Sequence, residues 1–241
     1  MKILALDSSG LVASVAVIEN DDLIAEYTMN YKKTHSQTLV PMLDELRNMI
    51  DLDMETIDAI ALAAGPGSFT GLRIGSATAK GLGLALNKPI ISVPTVDGLA
   101  YNLYGSDKVI CPLMDARRNQ VYTGLYEFVR QSEKNAYEMK HLAEQCTVDI
   151  QEIADKINEL GREVIFLGDG VAVFAERLAE MIKVPYSFAP ACCNRQRAAC
   201  VATLAQGYYE KDMIQTAAEH APDYLRLSQA ERERAEAQKQ A

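Results

Sequence analysis

Short apolar runs alternate with polar turns at the start of the chain. Ile3 to Asp7, Val12 to Ile18 and Leu23 to Met29 are separated by Ser8-Ser9-Gly10 and by Glu19 to Asp22. Runs of this length bounded by turn formers predict strands, and three joined by short turns predict an antiparallel meander. A dinucleotide-binding fold would enter a helix after its first strand, so that class does not fit. Ser36 stands before Leu39, Val40, Leu43, Leu46 and Ile50, a spacing that predicts a helix over 36–50 with one apolar face and Ser36 as its cap. Ile57 to Ala64 is almost wholly apolar, as expected of a strand covered on both faces. It leads into Gly65-Pro66-Gly67-Ser68-Phe69-Thr70-Gly71, and a helix is predicted over 72–86. Pro89 to Val93 reads as another strand and Val96 to Leu103 as a short helix.

The first hundred residues therefore read β-β-β-α-β-α-β-α, the order of a ribonuclease-H-like domain. Val109 to Met114 and Val121 to Phe128, joined by the polar turn Ala116 to Gln120, open what reads as a second sheet. Gln131 to Val148 is polar and has no clear period. Ile150 to Leu160 reads as a helix, Val164 to Leu167 as a strand, and Gly168-Asp169-Gly170 as a turn into a helix ending near Ile182. The stretch from Pro185 to Pro190 reads as irregular. Gln196 to Tyr209 reads as a helix with Ala198, Val201, Ala202, Ala205 and Tyr209 near one side. After Tyr224-Leu225-Arg226, Ser228 and Glu231 have capping-box spacing, but the tail has almost no apolar face and reads as a solvated helix. The expected division is a first subdomain over 1–106, a smaller related one over 107–225, and a charged tail over 226–241.

Composition narrows the partners. A chain of 241 residues, 49% hydrophobic, can bury one large core or two modest ones. Lys and Arg total 24 against 33 Asp and Glu, a formal net charge of -9, whereas a general nucleic-acid binder needs a basic surface. Any RNA contact is then local or supplied by a partner. No apolar run has membrane-spanning length and MKILALDSSG does not read as a signal peptide, so the expectation is a cytoplasmic protein with no membrane contact. The five cysteines include no C-x-x-C, and Cys192-Cys193 are adjacent, which suits neither a disulfide framework nor a zinc knuckle; they read as buried or incidental thiols.

The strongest local signal is Gly65 to Gly75. Its glycines permit tight curvature, Ser68 or Thr70 can cap the following helix, and free N–H groups at a helix start can hold an anion. It is not a Walker motif: the Gly-Lys-Ser/Thr ending is missing and Lys80 lies well inside the helix. Gly71, Gly75, Ala79 and Gly83 recur four apart, and since glycine inside a helix costs about 1 kcal/mol relative to alanine, close contact must offset it. Internal packing would account for the strip. A subunit interface is the expectation adopted, formed by Gly71, Leu72, Gly75, Ala79 and Gly83 with Leu39, Leu43 and Leu46 of the helix before.

Asp7, Ser8 and Ser9 end the first strand where an actin-like ATPase places a magnesium-coordinating carboxylate and phosphate-facing hydroxyls; a structural turn is the other reading. Asp115 can pair with Arg117 or Arg118, and Asp169 between two glycines reads as a turn former. His35, His141 and His220 match neither H-E-x-x-H nor a zinc cluster, and His35 reads as a solvent-facing or cap-region side chain. No serine has a G-x-S-x-G context, so no catalytic residue is assigned.

ILALDSS, ASVAV, HSQTLVPML, AAGPGSFTGLRIGSATAKGLGLAL, ISVPTVDGLA, CPLMDARRNQVYTGLY, FLGDGV and APDYLR together resemble the TsaB (YeaZ) family over essentially the whole chain. The resemblance implies a duplicated ribonuclease-H-like, actin/Hsp70-like (ASKHA) α/β fold. It implies a noncatalytic subunit for threonylcarbamoyladenosine synthesis at adenosine 37 of tRNA. Its implied partners are a TsaD-like transferase and, through that complex, a TsaE-like ATPase and tRNA, with a homodimer when the chain is alone. No metal or cofactor is implied for this chain, ATP or ADP being bound by the partner complex; nucleotide binding by the chain alone stays open. The catalytic relative carries a His-x-x-x-His metal pair where this sequence has Thr95-Val96-Asp97-Gly98-Leu99, so the resemblance assigns the transfer chemistry to the partner. The competing expectation is an independent small-molecule kinase or ATPase of this fold using Asp7 and the 168–170 turn; a metal-dependent peptidase is a third.

Overall fold

The computed structural model describes residues 1–133 and 135–225; the Ser228–Glu231 capping box lies outside them. Strands β1 (Lys2–Asp7), β2 (Ala13–Glu19) and β3 (Asp22–Met29) form the expected meander, and β4 (Ala59–Gly65) and β5 (Ile90–Pro94) add to it in parallel. The sheet order is β3-β2-β1-β4-β5. Strands β6 (Val109–Asp115), β7 (Gln120–Gln131), β8 (Ala136–Asp149), β9 (Val164–Leu167) and β10 (Tyr186–Phe188) form a second sheet, ordered β8-β7-β6-β9-β10. The two orders correspond strand for strand, so the duplicated ribonuclease-H-like fold is present.

Six helices cover the sheets among the described residues: α1 (His35–Met49), α2 (Phe69–Leu86), α3 (Thr95–Ala100), α4 (Ile150–Leu160), α5 (Gly170–Met181) and α6 (Ala198–Glu210). β4 is buried along its whole length because α1 and α2 cover one face of the first sheet and α6 the other. Thus α6 follows the second sheet in the chain yet packs on the first, through Ala198, Val201, Ala202 and Ala205. Helices α4 and α5 cover one face of the second sheet, and α3 packs on its other face through Val96, Leu99 and Ala100.

Three local expectations change. Thr34, not Ser36, precedes α1; Ser36 lies inside the helix and its Oγ donates to Thr34 Oγ1 at 3.3 Å. Gln131 to Val148 contains most of β8, a long edge strand none of whose residues is buried, so it needs no apolar period. The stretch read as irregular contains β10, only three residues long and paired in parallel with β9.

Candidate functional site

A cleft of about 480 Å³ opens between the two sheets. One lip is the turn after β1. Asp7 is 2% exposed, and its Oδ1 accepts from the Ser9 amide at 2.9 Å and the Ser9 hydroxyl at 2.6 Å. Burial pushes the Asp7 carboxyl up to about 6 against the opposing pull of those bonds and of His35. Ser8 Oγ donates to the Gly71 carbonyl at 2.9 Å and so faces α2. The Ser9 carbonyl accepts the Ser68 amide at 2.7 Å, tying this turn to the start of α2, where Ser68 Oγ caps the Gly71 amide at 3.3 Å. Of the three candidate phosphate-facing residues, Ser9 alone lines the cleft. His35, the first residue of α1, fits the cap-region reading and is half-buried: its Nε2 lies 2.8 Å from the Gly10 carbonyl oxygen.

The other lip follows β6. Asp115 Oδ1 accepts the Arg117 amide at 2.8 Å and Oδ2 lies 3.1 Å from Arg117 Nη1, the expected pair. Arg117, Arg118 and Asn119 are all left-handed, with φ of 65°, 56° and 62°. Asn119 holds the turn, its Oδ1 accepting from Arg177 at 3.1 Å and its carbonyl from the Ile150 amide at 3.0 Å. Asp169 precedes α5 and lines the cleft; burial raises its carboxyl above the ordinary range.

The segment 223–225 completes the wall. The Asp223 amide donates to the Ala64 carbonyl at 2.7 Å, and Tyr224 stacks on Phe69 with ring centres 4.6 Å apart. Arg73 lies 4.0 Å over the Phe69 ring and donates from Nε to Tyr224 Oη at 3.4 Å. Gly65, at φ 130°, lets Asp223 approach: a Cβ there would strike the Asp223 carbonyl. Nothing local in the sequence marks Tyr224 for this site, because its partners stand some 150 positions earlier. The cleft thus has carboxylates from Asp115, Asp169 and Asp223, one guanidinium from Arg117, and apolar walls. Among the described residues no three His, Cys, Asp or Glu side chains come together as a metal site.

Thr95 and Leu99 have other uses. Thr95 Oγ1 accepts the Gly65 amide at 3.2 Å, and Leu99 is packed in the core between α3 and the second sheet. Between them lies Asp97, which no local motif marks for a role. Asp97 is buried and accepts from Tyr126 Oη at 2.8 Å and His141 Nε2 at 3.2 Å, while His141 Nδ1 lies 3.2 Å from Glu144. This chain joins α3 to β7 and β8.

The interface expectation needs correction. Leu39, Leu43, Leu46, Gly71, Leu72, Gly75, Ala79 and Gly83 are all buried within the chain. A Cβ on Gly71 would collide with the Ser8 carbonyl, one on Gly75 would lie 2.5 Å from Ser8 Oγ, and one on Gly83 3.2 Å from the Lys88 carbonyl. The small strip therefore seats α2 on its own sheet and the β1–β2 turn. Spacing by four identifies a helix face without identifying what lies against it.

Comparison with known proteins agrees with this architecture. The family model for TsaD, tRNA N6-adenosine threonylcarbamoyltransferase, matches residues 22–234. The tRNA threonylcarbamoyladenosine biosynthesis protein TsaB of Bacillus subtilis is 35% identical over 99% of this chain and 100% of its own length. The Haemophilus influenzae protein of the same name is 29% identical over 73% of this chain and 75% of its own. YeaZ from Pseudomonas aeruginosa superposes with a TM-score of 0.77 at 26% identity, over 92% of this chain and 99% of that one. A second Pseudomonas aeruginosa structure, described as an uncharacterized protein with similarity to peptidase YeaZ, gives 0.78 at 26% identity, over 93% and 99%. The chain belongs to the TsaB (YeaZ) family of tRNA threonylcarbamoyladenosine biosynthesis proteins.

Proposed function

We propose that this chain is a noncatalytic scaffold and activator that pairs with a TsaD-type threonylcarbamoyl transferase. The observation that carries this reading is the use of Thr95 and Leu99. One hydroxyl accepts a backbone amide and one side chain fills the core at the positions assigned to the metal-binding imidazoles of the catalytic relative. The partner transfers threonylcarbamoyl to adenosine 37, a TsaE-like ATPase and tRNA join through that partner, and the setting is cytoplasmic. The acidic net charge of -9 suits RNA contact made mainly by another subunit.

With the small strip buried, the docking surface in this reading is the opposite side of α1 and α2. Val40 and Met49 are 54% and 77% exposed on α1; on α2 Leu84 is 72% exposed beside exposed Ala77, Gly81 and Ala85. Without a partner, the same surface would carry a homodimer. The test is copurification of Gly81→Arg/Leu84→Glu with the transferase, followed by transfer assays with each chain alone and with both. The variant should melt as the wild type does, lose the partner and fail to support transfer. Undiminished assembly would overturn the surface, and transfer by the partner at full rate without this chain would overturn the activator role. ATP turnover by the pure chain would instead favour the independent kinase, a reading that must use an Asp7 carboxyl already occupied by Ser9.

A further inference from the structure

The chain crosses from β10 in the second sheet to α6 on the first through residues 189–197, and Cys192 and Cys193 sit in that crossing. Their Sγ atoms are 3.5 Å apart. Cys192 is exposed, whereas Cys193 is half-buried against the core between α3 and the second sheet. Burial raises Cys193 as it raises Cys111, Cys146 and Cys200, so what sets the pair apart is the close approach of its two sulfurs and the exposure of Cys192; Cys111 is buried, Cys146 and Cys200 are half-buried, and Cys200 Sγ donates to Asn102 Oδ1 at 3.2 Å. We infer that Cys192 and Cys193 form a two-electron redox site, a vicinal dithiol that a hydroperoxide closes into an eight-membered disulfide ring.

The step balances with hydrogen peroxide as oxidant. The Cys192 thiolate attacks one peroxide oxygen, the O–O bond breaks, and Cys192 becomes a sulfenic acid as the first water leaves. Cys193 gives up its proton and attacks the Cys192 sulfur; the S–O bond breaks, the S–S bond forms, and the second water leaves. The dithiol loses two electrons and two protons to the peroxide. The order follows exposure, since Cys192 meets solvent first and Cys193 is held behind it, its backbone amide donating to the Pro190 carbonyl at 2.9 Å. Adjacent Cα atoms lie about 3.8 Å apart, below the usual disulfide span of about 4.4–6.8 Å, so the bridge is strained, easily reduced and suited to reversible use.

Closing the ring acts on neighbours at both lips of the cleft. The Asn194 carbonyl accepts the Gly168 amide at 3.1 Å beside Asp169, and the buried Gln196 side chain lies against Gly10. Asn102 Nδ2 holds the Arg195 carbonyl at 2.7 Å, and Arg197 pairs with Glu26 of β3. The crossing is therefore tied down on either side of the ring, and torsion there is passed to these bonds.

The test treats the folded full-length protein with equimolar hydrogen peroxide, alkylates remaining thiols after denaturation, and reads intact and peptide mass. Expected are a loss of two hydrogen atoms, two fewer alkylation sites mapped to 192–193, and reversal by dithiothreitol. Cys193→Ser should stop at a sulfenic acid on Cys192 that dimedone captures, and Cys192→Ser should abolish the mass loss. Faster hydrogen exchange of the Gly168 amide in the oxidised protein is the conformational readout. A bridge mapped to Cys200, a mass loss that survives in Cys192→Ser, oxygen addition without a bridge, or no reaction would each overturn the assignment.

Discussion

Asp7 is a residue on which burial and hydrogen bonding pull in opposite directions. Its carboxyl titrates at about 6 in the fold against an ordinary 3.8, with burial the larger influence. Between those values the folded chain binds the proton that the unfolded chain has released, so stability falls as pH rises through that window and stays lower above it. The interval corresponds to a cost of about 3 kcal/mol once the group is ionised. Asp7→Asn keeps an oxygen acceptor for the amide and hydroxyl of Ser9 and removes the charge. Urea denaturation of that variant should show a gain of about 1–3 kcal/mol at pH 8 and little change at pH 4. Equal stability at pH 8 would mean that the carboxylate has compensation beyond Ser9 and His35.

At the scale of elements, α2 shows how far a pattern can be read. Its Ser68 cap and its small-residue strip follow from residues close in sequence; β1, β2, β4 and β5 are legible because strands covered on both faces are apolar, and β3, an edge strand with no buried residue, because Leu23 to Met29 follows a polar turn. β8 and β10 leave no such mark: one is an exposed edge, the other three residues long. The cleft divides in the same way. Ser9, Gly67 and the Asp115–Arg117 pair belong to local motifs, whereas Tyr224 reaches Arg73 across 151 positions, and that pairing exists only after folding. The strip carries its own prediction. A Cβ on Gly71 meets the Ser8 carbonyl, while one on Gly81 meets nothing within 4 Å. Gly71→Ala should therefore destabilise the isolated chain by about 1–3 kcal/mol through overpacking. Gly81→Ala should stabilise it by about 0.5–1 kcal/mol through helix propensity. Thermal melting of both variants distinguishes the buried side of α2 from its exposed side.

Across the whole molecule, the two sheets are joined by a buried carboxylate as well as by apolar packing. Asp97 belongs to α3, which follows the first sheet, and its hydrogen-bond donors Tyr126 and His141 belong to β7 and β8 of the second. Burial raises the Asp97 carboxyl, and the Tyr126 bond is the largest influence holding it down. Tyr126→Phe removes that donor from a fully buried site and leaves the carboxylate with His141, a loss of about 1–3 kcal/mol. The loss has a pH signature. Without the donor the folded carboxyl rises further above its unfolded value, so the variant retains its proton over a wider range and loses progressively more stability than the wild type as pH increases. Denaturation of Tyr126→Phe, Asp97→Asn and the double variant at pH 5 and pH 8 isolates the coupling. A term of about 0.5–3 kcal/mol that grows with pH is expected if the bond carries charge between the halves. Strict additivity at both pH values would mean that the Tyr126 bond carries no charge-dependent coupling between the halves.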